Sequence, residues 1–136
     1  MTLLARYMNH ASNPNTCITP YDLELAVRDI HKGEEIVNHY GMLNIIEPFS
    51  LPTSDGEIIY PDDLLSHGQK WNALLEEAFP CLILVIQPLR PLISDCRWLE
   101  LEQVSKSERR MLSVTSCYFG GSAKVKQEDV AQTVMK

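Results

Sequence analysis

The sequence predicts an α+β chain: short strands and turns over residues 1–49, then a mostly helical region over residues 50–136. Three observations predict it. Leu23, Leu25 and Val27 alternate with Glu24, Ala26 and Arg28, the period of a half-buried strand. Trp71, Leu74, Leu75, Ala78 and Phe79 fall at i, i+3, i+4, i+7 and i+8, which is one face of a helix. Between them Pro48, Pro52 and Ser54-Asp55-Gly56 interrupt the chain as loop punctuation.

Each element follows from local chemistry. Asn13-Pro14-Asn15 is a turn, because Pro fixes φ and Asn tolerates left-handed backbone. The strand around Leu23–Val27 leads to a turn at Lys32-Gly33, and Glu35–Tyr40 reads as another short strand. A further strand is expected from Glu57 to Tyr60. Ser66 and Gln69 have the spacing of a capping box at the start of the Trp71–Phe79 helix, which Pro80 ends. Leu82–Ile93 is apolar but broken by Pro88 and Pro91, and reads either as a buried strand or as an irregular crossing segment. Ser105 and Glu108 repeat the capping-box spacing before a helix carrying Met111, Leu112 and Cys117, stopped by Gly120-Gly121. Ser122 then caps a last weak helix through Val130 and Val134, or opens a frayed tail.

Composition narrows the function classes. Over 136 residues the chain is 45% hydrophobic and 22% charged, ordinary globular usage that excludes wholesale disorder. A chain this long can bury roughly two-thirds of its unfolded surface, so it needs no staples. Twelve basic against eighteen acidic residues (net −6) argue against nonspecific nucleic-acid binding, which needs clustered Lys and Arg. That balance suits basic partners, such as lysine-rich protein segments, or simply aids solubility. Cys17, Cys81, Cys96 and Cys117 form no short-spaced pair, so a structural zinc site is not expected and reduced thiols in an intracellular protein are. The longest apolar run, Cys81–Ile86, is far too short for a membrane span.

The chemistry-bearing stretch is Arg6-Tyr7-Met8-Asn9-His10-Ala11-Ser12-Asn13-Pro14-Asn15, followed by Arg28-Asp29-Ile30-His31-Lys32-Gly33-Glu34-Glu35-Ile36 and Asn38-His39-Tyr40-Gly41. From the residues alone this is an Asn-His pair beside a tight turn, a strand, a Gly turn and a Tyr-Gly strand end. In this order and spacing the three blocks resemble the second half of the SET domain, the protein-lysine N-methyltransferase fold, over roughly residues 5–45. The family pattern there is Arg-aromatic-x-Asn-His-Ser-Cys-x-Pro-Asn, then Ile-x-x-Gly-Glu-Glu and a closing Tyr-Gly.

The resemblance implies a partial SET fold with a pseudoknot-like crossing, with S-adenosylmethionine as cofactor and an accessible lysine of a protein as substrate. Asn9 and His10 occupy the positions of the cofactor-holding pair, with Arg6 beside them, and Tyr40 that of the catalytic tyrosine, which also faces the cofactor. An amide offers both donor and acceptor to a purine edge. Tyr7 and Phe49 are candidates for the wall of an apolar lysine channel.

The departures are specific. Ala11-Ser12 stands for the family's Ser-Cys, and His39 for the Asp that often precedes the catalytic tyrosine. No zinc-binding Cys-rich segment is present, and no Gly-x-Gly strand-turn precedes Asn9, so the recognised segment alone is not expected to build a complete cofactor pocket.

Each residue also has a plainer role. His10 read alone is a hydrogen-bonded structural histidine, Tyr40 a strand-end aromatic and Asn9 a turn closer. Glu34 and Glu35 read as a solvated turn edge. His31, His39 and Glu35 lack any metal-ligand spacing, so no metal is expected. Three functions compete: a protein-lysine methyltransferase, an inactive truncated SET segment whose helical region binds a partner protein, or a truncated form of a longer enzyme.

Overall fold

The computed structural model describes residues 8–52 and 56–119. Arg6, Tyr7, the Ser54-Asp55 turn, the Gly120-Gly121 stop and the helix expected after Ser122 lie outside the described residues.

The first part is built from very short strands: β1 (Asn9–His10), β2 (Thr16–Ile18), β3 (Glu24–Ala26) and β4 (Val37–Asn38). β2 and β3 pair antiparallel, with Cys17 opposite Leu25. β1 pairs in parallel with β4, Asn9 opposite Val37 and His10 opposite Asn38. Parallel pairing requires a crossover, and β2, β3 and the Gly33 turn supply it. Gly33 has φ +87, a left-handed value that accounts for glycine in the expected turn.

The strand at Leu23–Val27 forms as expected, and Leu23, Leu25 and Val27 pack against the core. Glu24 and Ala26 face the other way, yet Glu24 is not left to solvent: it accepts from Thr16 Oγ1 at 3.2 Å. The strand expected over Glu35–Tyr40 shortens to β4, because Tyr40 opens a 3₁₀ turn, Tyr40–Met42, capped by His39. β5 (Phe49–Ser50) and β6 (Ile58–Ile59) then form a hairpin.

Three α-helices follow among the described residues: α1 (Asp63–Ser66), α2 (Gly68–Ala78) and α3 (Asp95–Ser105). α2 carries the predicted face, with Trp71, Leu75 and then Phe79 buried, and Pro80 lies in a 3₁₀ turn at its end. Its cap differs from expectation. Ser66 closes α1, where its backbone N–H bonds Asp62, and the N-cap of α2 is His67 with no side-chain bond.

Of the two readings of Leu82–Ile93, the irregular segment holds and the buried strand does not: it is a series of turns ending in a 3₁₀ turn at Arg90–Leu92, with Leu84, Val85, Ile86, Leu89 and Leu92 exposed. Pro88 and Pro91 remove the N–H groups a strand would need.

Ser105 does not start a helix. It ends α3, whose start is capped by Ser94, with its Oγ accepting from Arg97 N at 3.3 Å. The buried Ser105 hydroxyl instead donates to the Phe79 carbonyl at 2.7 Å, joining the ends of two helices. Met111 and Leu112 belong to no helix or strand, and Cys117 ends a 3₁₀ turn, Val114–Cys117.

One buried cluster draws on both parts of the chain: Cys17, Tyr21 and Met42 meet Leu64, Trp71, Leu75, Phe79, Leu101 and Val114. The segment after α3 fastens them polar-wise, since Leu112 N donates to Tyr21 Oη at 2.9 Å and Asn44 Nδ2 to the Cys117 carbonyl at 2.9 Å. No described helix is long and apolar enough to cross a membrane.

Candidate functional site

β1 and β4 place the two sequence blocks side by side. The parallel register puts His10 beside Asn38, and the chain then turns at His39 so that Tyr40 comes under the His10 ring, with centroids 5.3 Å apart. The Tyr40 hydroxyl donates to the Met8 carbonyl at 2.9 Å, so phenol and carbonyl oxygens lie together at the edge of β1. Phe49, carried by β5, stands 6.3 Å from Tyr40 ring to ring. Asn9 is exposed and its amide donates to Glu35 Oε1 at 2.5 Å.

Of the residues singled out above, the structure therefore brings together His10, Tyr40 and Phe49, while the Asn9 side chain lies exposed against Glu35.

Asn15 holds the crossing shut. Fully buried, it donates from Nδ2 to the Glu35 carbonyl at 2.7 Å and accepts at Oδ1 from Val37 N at 2.8 Å. Its own backbone bonds Val37 and Val27. One side chain thus spans the turn and β4. Glu34, on the same turn, accepts from Arg28 at 2.5 Å and from the His31 backbone at 3.0 Å, and these donors hold its carboxyl down at about 2.

Ser12 and His39 show in the sequence only as departures from the motif and Glu57 only as the start of an expected strand, and no spacing joins the three. The β5–β6 hairpin returns Glu57, one residue before β6, to the β1–β4 edge. There Glu57 Oε2 accepts from His10 Nε2 at 2.9 Å and from the Ser12 hydroxyl, while Oε1 accepts from His39 Nε2 at 2.9 Å.

The opposite ring nitrogens settle the tautomers. Tyr40 N–H donates to His10 Nδ1 at 3.1 Å, and Gly41 N–H to His39 Nδ1 at 3.0 Å. A backbone N–H can only donate, so both Nδ1 atoms are lone pairs and both protons sit on Nε2.

Partial burial works to raise the Glu57 carboxyl, but Ser12, His10 and His39 together outweigh it and hold it at about 2. Burial pushes the His39 pKa down, against the upward pull of Glu57. The result is a carboxylate gripped by the Nε2–H groups of two imidazoles.

His10, His39 and Glu57 place three potential ligand atoms within 4.8 Å of one another. Their donor pattern does not suit a metal ion. A histidine that ligates through Nε2 carries its proton on Nδ1 and donates it to an acceptor. Here both Nδ1 atoms face backbone donors instead.

Glycine at position 41 is set by close approach, since a Cβ there would lie 2.6 Å from Asp63 Cβ and 2.9 Å from His39 Nδ1.

Residues 1–41 match the family model of the SET domain, a partial match that ends on this glycine. No curated protein and no solved structure matched the chain.

Proposed function

We propose that this chain carries the tyrosine-bearing, cofactor-facing part of a SET-type protein-lysine N-methyltransferase that uses S-adenosylmethionine and methylates a lysine of a protein substrate. The carrying observation is the β1–β4 pairing, which sets the Tyr40 phenol against His10 within the segment that matches the SET-domain model. The pseudoknot-like crossing of that fold belongs to the proposal, and the parallel register supports it.

The residues present suit such a cofactor. Asn9 is exposed, and its amide oxygen accepts no hydrogen bond among the described residues, so it can offer an acceptor and a donor to a purine edge. Both His10 ring nitrogens are engaged inside the protein, which leaves its ring face and backbone for any contact. When bound, S-adenosylmethionine supplies a methyl group made electrophilic by its sulfonium.

The chain's own part is orientation and electrostatics. The Tyr40 oxygen and the Met8 carbonyl form a pair of negative dipoles that favours a positively polarised methyl. A lysine amine approaching that methyl group would have to be neutral, having first lost its proton to solvent. Alignment of such partners is worth ~7–11 kcal/mol of barrier. A free lysine has a pKa of about 10.4, and an apolar wall containing Phe49 favours its neutral, nucleophilic form.

The test is calorimetric titration of the chain with S-adenosylmethionine, paired with transfer of labelled methyl to protein lysines. Asn9→Ala is expected to weaken binding about tenfold, the worth of one good amide contact. Tyr40→Phe should slow transfer at least about tenfold with little change in binding. A chain that takes up no cofactor, or variants that transfer as well as the parent, would sink this reading.

The exposed run Leu84, Val85, Ile86, Leu89 and Leu92 favours a second reading, an inactive SET segment that docks another protein through its helical part. It predicts a stable complex with a protein partner, abolished by Leu84→Glu with Ile86→Glu, in a chain that binds no cofactor.

A further inference from the structure

We infer that Glu57 is a positioning residue: by accepting from both imidazoles it fixes the tautomers through which His10 and His39 hold the backbone of Tyr40 and Gly41, and so sets the Tyr40 phenol. The significance for methyl transfer rests on the SET-type reading, whereas the positioning itself rests on hydrogen-bond directions alone.

The chain of contacts is short. Glu57 draws the Nε2 protons of His10 and His39, each at 2.9 Å. The lone pairs left on Nδ1 then receive Tyr40 N–H at 3.1 Å and Gly41 N–H at 3.0 Å. These two amides open the 3₁₀ turn Tyr40–Met42, and that turn aims the phenol at the Met8 carbonyl.

Nothing weaker than a carboxylate can serve both rings. It has two acceptor oxygens and no donor, which matches two N–H groups and one hydroxyl. Glu57 belongs to the β5–β6 hairpin, outside the segment that matches the SET model. The hairpin therefore completes the Tyr40 environment from a part of the chain with no motif of its own.

The same arrangement is sensitive to protonation. A second proton on either ring would turn Nδ1 into a donor facing a backbone donor, and the amide would lose its acceptor. The groups facing these rings are Glu57, Ser12 and Tyr40 around His10, and Glu57, Asp63, His67 and Trp71 around His39. For His39, burial and the neighbouring His10 imidazole oppose the charged ring, while Glu57 and Asp63 favour it.

The experiment uses the full chain with ¹⁵N-labelled histidine, reading ring tautomers by long-range ¹H–¹⁵N spectra and amide exchange at Tyr40 and Gly41. In the unaltered chain near neutral pH, both rings are expected as Nε2–H. Glu57→Gln keeps the shape but places an amide NH₂ against one ring. That ring is expected to move its proton to Nδ1, with exchange of the matching amide faster by about 2- to 10-fold, the worth of one hydrogen bond. Unchanged tautomers and unchanged exchange in this variant would overturn the inference.

A pH titration of the unaltered chain covers the case of a variant that does not fold. Protection of the Tyr40 and Gly41 amides, corrected for intrinsic rate, should fall with the midpoint of the imidazole signals. Protection that persists through that midpoint would overturn the inference too. Titration with S-adenosylmethionine runs separately: if the unaltered chain takes up none, the methyltransferase reading fails while the tautomer result still decides the role of Glu57.

Discussion

Asn15 commits every polar atom it has to the crossing. Its amide bridges the Glu35 carbonyl and the Val37 N–H, and its backbone joins β4 to the residue after β3. Asn15→Ala would leave two part-buried backbone groups, Glu35 C=O and Val37 N–H, without this partner, at about 1–2 kcal/mol each. The expected loss is ~2–4 kcal/mol, read as a lower urea midpoint with an unchanged m-value.

From the sequence, Asn15 is visible as a turn residue beside Pro14, which is a local role. Its partners lie some twenty residues away and no spacing rule points to them. Gly41 shows the converse: the Tyr-Gly pair is legible as a motif, but its physical reason, the approach of Asp63, exists only in the fold. Tyr40, Asn9 and His10 are legible as parts of a motif, because residue type and order carry it. Ser12, His39 and Glu57 become a site only when three separate turns converge.

At the scale of elements, legibility follows length and face. α2 has eleven residues and a clean apolar stripe, so periodicity finds it. α3 has the same length, but Leu99 is 56% exposed while Leu101 and Val104 are buried, which blurs the stripe. Its N-cap, Ser94, lacks the Glu three residues on that would complete a capping box, whereas Ser105–Glu108 has that spacing and caps nothing.

The strands β1–β6 are two or three residues long, too short for alternation to register except where Leu23, Leu25 and Val27 extend it. Packing separates the apolar residues that matter from those that do not. Leu75 on α2 is 0% exposed and Ile86 is 91% exposed. Leu75→Ala is expected to cost ~2–5 kcal/mol and Ile86→Ala within about 0.5 kcal/mol of nothing, both by denaturant unfolding.

For the whole molecule, acid is the expected weakness. His39 has a folded pKa below its ordinary 6.5, chiefly through burial, so the unfolded chain binds that proton more readily. Its contribution to stability is full above 6.5 and is lost as pH falls below that value. Glu57 and Glu34 are both held at about 2 against an ordinary 4.5, so their contributions are present above 4.5 and lost as pH falls towards 2. Both are substantially solvated, which makes the Glu34 share small.

Glu24 has the opposite sign: burial raises its carboxyl, so its unfavourable charge is relieved in acid. Melting temperatures followed from pH 8 to 3 should hold steady to about 7, decline through the imidazole range and drop faster below about 4.5. A melting temperature constant from pH 8 to 5 would remove His39 from this account.

Because Cys17, Tyr21 and Met42 share their burial with Trp71, Leu75 and Val114, neither stretch of the chain has an interior of its own. A protease cut near the β5–β6 hairpin would release no self-sufficient fragment, only two pieces that must find each other again. The motif-bearing segment is thus hostage to helices that carry no motif, and a substitution on Trp71 or Leu75 would reach His10 and Tyr40 without touching either.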